Sequence, residues 1–201
     1  MILSEGSIPK PTKAIRMAGD GVIEDQRREQ FRRDLTRHIA ISCWREDTRE
    51  SAAMWKIYAP GSRGVVIRTT WGDLKTALED SWDWIDVGGR VRYLDFDTDY
   101  QDEYIALLPF FWKRSSYSFE QEIRLLISKV PLSRYQLPAG AESPIENGVV
   151  FNIDPVRLIG AVHLSPNASD NHLAVVRKLA HRAGIDPGLV RRSEMDDSPV
   201  Y

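Results

Sequence analysis

The sequence predicts an α+β fold, a mixed and mainly antiparallel sheet with flanking helices, and three observations predict it. Short β-branched or alternating runs recur, most clearly Gly64 to Thr70 and Glu120 to Val130. Between them lie stretches with helical spacing and cap residues, such as Ser169-Asp170 before Leu173, Val176, Ala180 and Ala183. The two kinds of element follow one another without a regular βαβ rhythm. The chain has 201 residues, a length that suits one domain, so an irregular segment over 1–23 is expected to precede a single α+β domain over 24–201.

The opening stretch carries Gly6, Pro9, Pro11, Gly19 and Gly21 with little apolar periodicity, which gives the irregular reading. Residues 24–37 lack Pro and Gly and pair Glu29 with Arg33 at i,i+4, so a charged, solvated helix is expected. His38 to Trp44 reads as a strand. Asp47 to Glu50 fits a capping box, with Asp47 as N-cap of a helix that carries Met54, Trp55 and Tyr58 and stops before Pro60. Gly64 to Thr70 is the next strand and Trp71 to Leu78 a short helix. Gly88-Gly89 punctuates, and Arg90 to Leu94 alternates as a strand. A helix is expected within Gln101 to Trp112, then the strand at Glu120 to Val130, with Ile123, Leu125 and Ile127 on one face and Glu120, Glu122 and Arg124 on the other. A loop over 131–147 follows. Val149 to Phe151 and Leu158 to Leu164 are expected as strands, the helix opened by Ser169-Asp170 ends at Gly184, and Leu189-Val190 closes the pattern as a last strand.

Composition excludes several classes. The apolar share is 42% and the net charge −2, so no basic field draws nucleic acid, and no apolar run reaches the ~18 residues that span a bilayer. The single cysteine, Cys43, cannot form an intramolecular disulfide, which fits a reducing, cytoplasmic setting. It sits in an apolar run and is expected as a buried small residue. The Gly61 and Gly64 turn lacks the Lys-Ser/Thr pair of a phosphate loop. His38, His163, His172 and His181 have no zinc spacing, and no metal is expected. Asp95, Asp97 and Asp99 alternate like the start of a calcium loop, but Tyr100 and Ala106 stand where Gly and Glu are needed.

Two constellations could carry chemistry. Glu120 and Glu122, at i and i+2 on a strand, would share one face about 7 Å apart, close enough to divide labour at a sugar and to raise at least one of their pKa values. Arg124, two places on, could instead neutralise Glu122 on a solvated sheet surface. The second group is Ser42, Trp44, Glu50, Ser51, Trp55 and Tyr58, an aromatic wall beside a carboxylate and hydroxyls that could stack a planar ring. The bland alternative is a helix packed by its indoles, with Glu50 spent on capping. Lys113-Arg114 is a cationic pair suited to a diphosphate, or to solvent.

Ile41 to Trp44, Glu50-Ser51, Met54-Trp55 and Tyr58, followed by Gly64 to Ile67, Val91 to Asp95, Lys113-Arg114 with Ser118 to Arg124, Leu158-Ile159, Leu164 to Pro166, Ser193 and Pro199, resemble the signature of a large bacterial family known as a domain of unknown function. The resemblance covers about residues 38–201. The Glu-x-Glu strand behind Lys113-Arg114 looks like that of the mono-ADP-ribosyltransferase superfamily. That likeness implies an ADP-ribosyltransferase-like fold and NAD as substrate. It further implies Glu122 as catalytic carboxylate with Glu120 its partner, and Ser42, Trp44, Glu50, Ser51, Trp55, Tyr58, Lys113, Arg114 and Arg124 around the cofactor. Family members carry a segment before the Glu-Gly-Ser matched by Glu5 to Ser7, so a shortened chain without the first-strand arginine is expected. The function expected is an NAD-using mono-ADP-ribosyltransferase or NAD glycohydrolase, with a nucleotide as small-molecule partner and the macromolecular acceptor unnamed. The alternative is a non-enzymatic module that binds a ligand or partner through its tryptophans, and last a metal nuclease using Asp95 and Glu122, which Arg124 disfavours because it cannot deprotonate to act as base.

Overall fold

A computed structural model describes residues 2–4, 35–85, 87–99, 107–128, 145 and 148–198, for 2–4 and 82–84 the backbone alone. The chain divides into two compact units: Met1–Ser7, Trp44–Trp82 and Asn152–Tyr201 form unit 1, and Ile8–Cys43 with Asp83–Phe151 form unit 2. The expected helix over 24–37, all but its last residues, and the loop over 131–147, apart from Ile145, lie outside the described residues.

Unit 1 holds the strand order β2–β1–β3–β8–β9, with β1 Ile2–Ser4, the last three residues of β2 Ile39–Glu46, whose earlier residues belong to unit 2, β3 Val65–Thr70, β8 Ala161–Leu164 and β9 Val190–Arg191. Within the stretch expected to be irregular, Ile2–Ser4 are thus a strand, parallel to β2 on one side and β3 on the other. β3 and β8 are antiparallel over four pairs, Val65↔Leu164 to Arg68↔Ala161, and β8 and β9 are parallel. Helices α1 Ala52–Tyr58, α2 Trp71–Ala77, α3 Pro155–Leu158 and α4 Asp170–Arg182 belong to this unit. α4 is capped by Ser169, whose hydroxyl accepts from His172 N–H, and it stops where Gly184 takes φ +76°, a conformation cheap only without a Cβ. Its buried face, Val176 and Ala180, packs with Val162, Leu164, Ala168, Ile185 and Val190.

Unit 2 has the order β4–β7–β2, with β4 Val87–Arg90 antiparallel to β7 Glu122–Ser128 over Val87↔Leu126 to Arg90↔Ile123. A separate parallel pair joins β5 Arg92–Leu94 to β6 Trp112–Arg114. Leu35, Val87, Leu107, Phe111 and Leu126 form its core. The fold is therefore α+β with mixed pairing, and the two longest registers, β3–β8 and β4–β7, are antiparallel.

Several expected elements move. Gly88-Gly89 lie inside β4 rather than breaking the chain, and Phe111 packs against Gly89, 3.6 Å from where a Cβ would stand, an ordinary contact distance. Val91 instead separates β4 from β5. Of the stretch Gln101 to Trp112, where a helix is expected, residues 101–106 lie outside the described residues, and Leu108–Phe111 form a 3-10 turn with Pro109 in its first turn. Val149 to Phe151 are not strand, and the stretch Leu158 to Leu164 splits into α3, nucleated by Asp154 and Pro155, and β8.

Candidate functional site

In unit 2 the chain leaves β6 through Lys113 and Arg114 into a 3-10 turn, Ser115–Glu120. Gln121 ends that turn in the left-handed region at φ 44°, its N–H bound to Ser118 O at 3.2 Å, and β7 begins at Glu122. The expectation of two glutamates at i and i+2 on one strand face is corrected here. Glu120 closes a turn, Glu122 opens a strand, and the left-handed residue between them reverses the backbone.

The two side chains nevertheless converge. The Lys113 ammonium pairs with Glu120 and lies 3.5 Å from Glu122 Oε2. Arg124 grips the same Glu122 with a fork, Nε to Oε1 at 3.0 Å and Nη2 to Oε2 at 2.9 Å, while its Nη1 donates to Phe110 O. Cys43, on β2, donates its thiol hydrogen to Glu122, and the Glu122 backbone N–H donates to the Tyr93 hydroxyl at 2.8 Å. Glu120 and Glu122 are 4% and 8% exposed, so the solvated-surface reading does not hold, although Arg124 does neutralise Glu122 as that reading had it.

Burial alone would raise the Glu122 pKa. Arg124, the Cys43 thiol and Lys113 outweigh it and hold the carboxyl below its usual range, so it is ionised at neutral pH. For Glu122 the expected upward push from its neighbour is thus reversed, because cations stand between the two acids. Cys43 is an exposed residue, not the buried one expected, yet partial burial of its sulfur and the adjoining Glu122 carboxylate push the thiol up to about 11. Tyr93 is likewise raised, by burial and by the charges of Glu122 and Glu120, and stays a neutral phenol. A carboxylate offers about four lone-pair sites. Arg124 takes two of those on Glu122, and Cys43 and Lys113 approach the others.

Outward from this cluster the surface is cationic and aromatic. Lys113 lies 5.0 Å from the Tyr117 ring centroid, and the exposed Arg114 guanidinium 5.6 Å from that of Phe96. Ser42, beside Cys43 on β2, is exposed.

The other predicted residues build a different assembly, in unit 1. Ser51, not Asp47, caps α1, its hydroxyl accepting from Met54 N–H, while Asp47 turns the chain by accepting from the Thr48 and Arg49 N–H groups and pairs with Arg45. Glu50 therefore precedes the helix instead of lying in its first turn, where the capping box puts it. Its carboxylate accepts from Trp55 Nε1 at 2.7 Å, Ser193 Oγ at 2.6 Å and Glu194 N at 2.9 Å, and meets His163 Nδ1 at 2.9 Å. Burial raises its pKa, but these donors more than offset it and the group is held below its usual range. Trp44 and Trp55 are buried and Tyr58 is exposed. The aromatic wall expected for ring stacking does not form, because the Trp55 indole faces inward and its N–H is committed to Glu50. Trp71 is buried too and Trp112 half-buried, and the side chains of Trp82 and Trp84 lie outside the described residues.

Among the described residues no group of three or more His, Cys, Asp or Glu side chains could hold a metal ion, and no helix is long and apolar enough to cross a membrane. Asp95 and Asp99 instead fold the turn after β5, accepting from the Asp97 and Asp95 N–H groups. The site residues that sequence reasoning missed are Tyr93 and Cys43 as neighbours of Glu122, and His163, Ser193 and Glu194 as partners of Glu50. Cys43 lies on β2, next to β7 in the sheet, and Tyr93 on β5 of the separate pair, and nothing in their local sequence ties either to Glu122. The last three stand more than a hundred positions from Glu50, and no local pattern signals such a pairing. No family model matches the chain, and no curated protein or solved structure matches it either.

Proposed function

We propose that unit 2 binds a nucleotide through its ribose, and that the reaction there is glycosyl transfer from NAD, as in a mono-ADP-ribosyltransferase or an NAD glycohydrolase. One observation carries the reading: two buried carboxylates meet at Lys113, and Glu122 is kept ionised at neutral pH. An ionised carboxylate cannot serve as general acid. It can accept a ribose hydroxyl and lower the energy of positive charge that develops on the sugar. In the step proposed, the bond between the ribose anomeric carbon and the nicotinamide nitrogen breaks, and its electron pair leaves with neutral nicotinamide. The anomeric carbon then bonds to water or to an acceptor nucleophile, which releases a proton to solvent. Glu122 faces the charged sugar, Glu120 holds Lys113 in place, and Arg124 fixes the Glu122 rotamer. Arg114 supplies the cation for the diphosphate and the neighbouring aromatic rings an apolar face for a base.

A non-enzymatic ligand-binding module is favoured by a different observation, the close engagement of Glu122 with Arg124 and Cys43. Incubation with NAD separates the two. Nicotinamide release or transfer of labelled ADP-ribose is expected from the wild type, with a loss of about a hundredfold or more in Glu122→Gln, and no change in Val175→Ala, an exposed position of α4. Binding without turnover would favour the module, and equal turnover in Glu122→Gln would remove Glu122 from the chemistry.

A further inference from the structure

Tyr93 lies on β5, in register with Lys113 of β6, and is half-buried. Its hydroxyl oxygen accepts the Glu122 backbone N–H at 2.8 Å, which fixes where the phenol ends. That bond uses an oxygen lone pair and leaves the phenol's own proton to be donated. No described residue accepts it. The charges within reach of the hydroxyl are Glu122, Glu120 and Lys113. The cluster thus sets an acceptor, the Glu122 carboxylate, next to a neutral donor that is held by the same residue's backbone.

We propose that Tyr93 is a ligand-contacting donor of this site, and that with Glu122 it selects a ribose hydroxyl by donating to its oxygen while Glu122 accepts its proton. This deepens the nucleotide–ribose reading and rests on it. The chemistry favours a hydroxyl over a charged group. A hydroxyl is the common substituent that donates and accepts at once. A carboxylate or phosphate oxygen would accept from Tyr93 but meet repulsion from Glu122, and an ammonium would satisfy Glu122 and leave Tyr93 unpaired. A site built to bind a hydroxyl also disfavours the analogue that lacks it, because the half-buried Tyr93 then has no ligand oxygen to donate to and Glu122 loses one donor.

The experiment is calorimetric titration of the full chain with ADP-ribose and with its 2′- and 3′-deoxy analogues on the terminal ribose. Wild type is expected to bind ADP-ribose about tenfold more tightly than one of the deoxy analogues, and Tyr93→Phe to bind the two alike. A purely structural role, support of the Glu122 backbone, would weaken every ligand together and leave the discrimination intact, and that result overturns the proposal. Should Tyr93→Phe not fold, wild-type protein carries the test through tyrosinate absorbance in alkaline solution. Of the seven tyrosines, one fewer is expected to ionise when ADP-ribose saturates the site, and an unchanged count overturns the proposal. If wild type binds no ADP-ribose, the ribose reading itself fails and takes Tyr93 with it. Binding without loss of discrimination in Tyr93→Phe refutes Tyr93 alone.

Discussion

Cys43 is the only cysteine of the chain, so its reactivity reports on the charge beside it without interference. The thiolate is the nucleophile, and at a pKa of about 11 little of it exists near pH 8. Alkylation by iodoacetamide is therefore expected to be slow in the wild type although the residue is exposed. Glu122→Gln removes the anion that disfavours the thiolate, and the rate at pH 8 should rise by about tenfold. Mass spectrometry of the labelled fraction against time checks this, and equal rates would mean that Glu122 does not control the thiol. At this scale the sequence was half legible. Lys113, Glu120, Glu122 and Arg124 could all be named because carboxylates and cations crowded within a dozen positions stand out. Their arrangement could not, because the left-handed turn at Gln121 falls on a residue type that gives no warning of it.

At the scale of elements, α1 depends on two adjacent residues with different work. Ser51 satisfies one helix N–H, so Ser51→Ala should cost about 1 kcal/mol. Glu50 joins the entrance of α1 to β8 and to the turn that begins after Ser193. Glu50→Ala leaves the Trp55 indole N–H, the Ser193 hydroxyl and the Glu194 N–H without their acceptor and should cost several kcal/mol, on the order of 3. Urea unfolding of both variants measures the difference, and similar losses would refute the keystone role of Glu50. The turn that leaves α1 is as demanding. A Cβ at Gly64 would stand 2.5 Å from Ala59 Cβ and 3.3 Å from the Trp55 ring, so Gly64→Ala should destabilise by about 1–3 kcal/mol, read by the same unfolding assay. The helices at 52–58, 71–77 and 170–182 were legible because caps and apolar spacing are local. The choice of cap before α1 was not. Asp47 and Ser51 are both able N-caps, and what decides between them is that Glu50 is claimed by His163 and Ser193 from across the unit.

For the whole molecule, the α+β class and the order of most elements were readable, and the division into two units was not, because chain segments distant in sequence build each of them. Each unit buries one carboxylate whose pKa is held down, Glu50 in unit 1 and Glu122 in unit 2. The sign of the consequence follows from proton counting. Unfolded, each group titrates near 4.5, and folded it titrates lower, so around and below that pH the unfolded chain binds more protons than the native one. The stability contributed by these groups is therefore fully present above about pH 4.5 and is lost as pH falls through their depressed folded values. The denaturation midpoint should be nearly level from pH 7 to 5 as far as these two groups set it, then fall. Glu50→Gln and Glu122→Gln each remove one titrating group, so each variant should be less stable at pH 7 yet lose stability less steeply below pH 4.5. The observable is the slope of unfolding free energy against pH, measured with urea between pH 3 and 7. A variant that lowers the curve at neutral pH without flattening its acid limb would show that the buried carboxylate acts through packing and hydrogen-bond shape alone, and that its charge contributes nothing to holding its unit together.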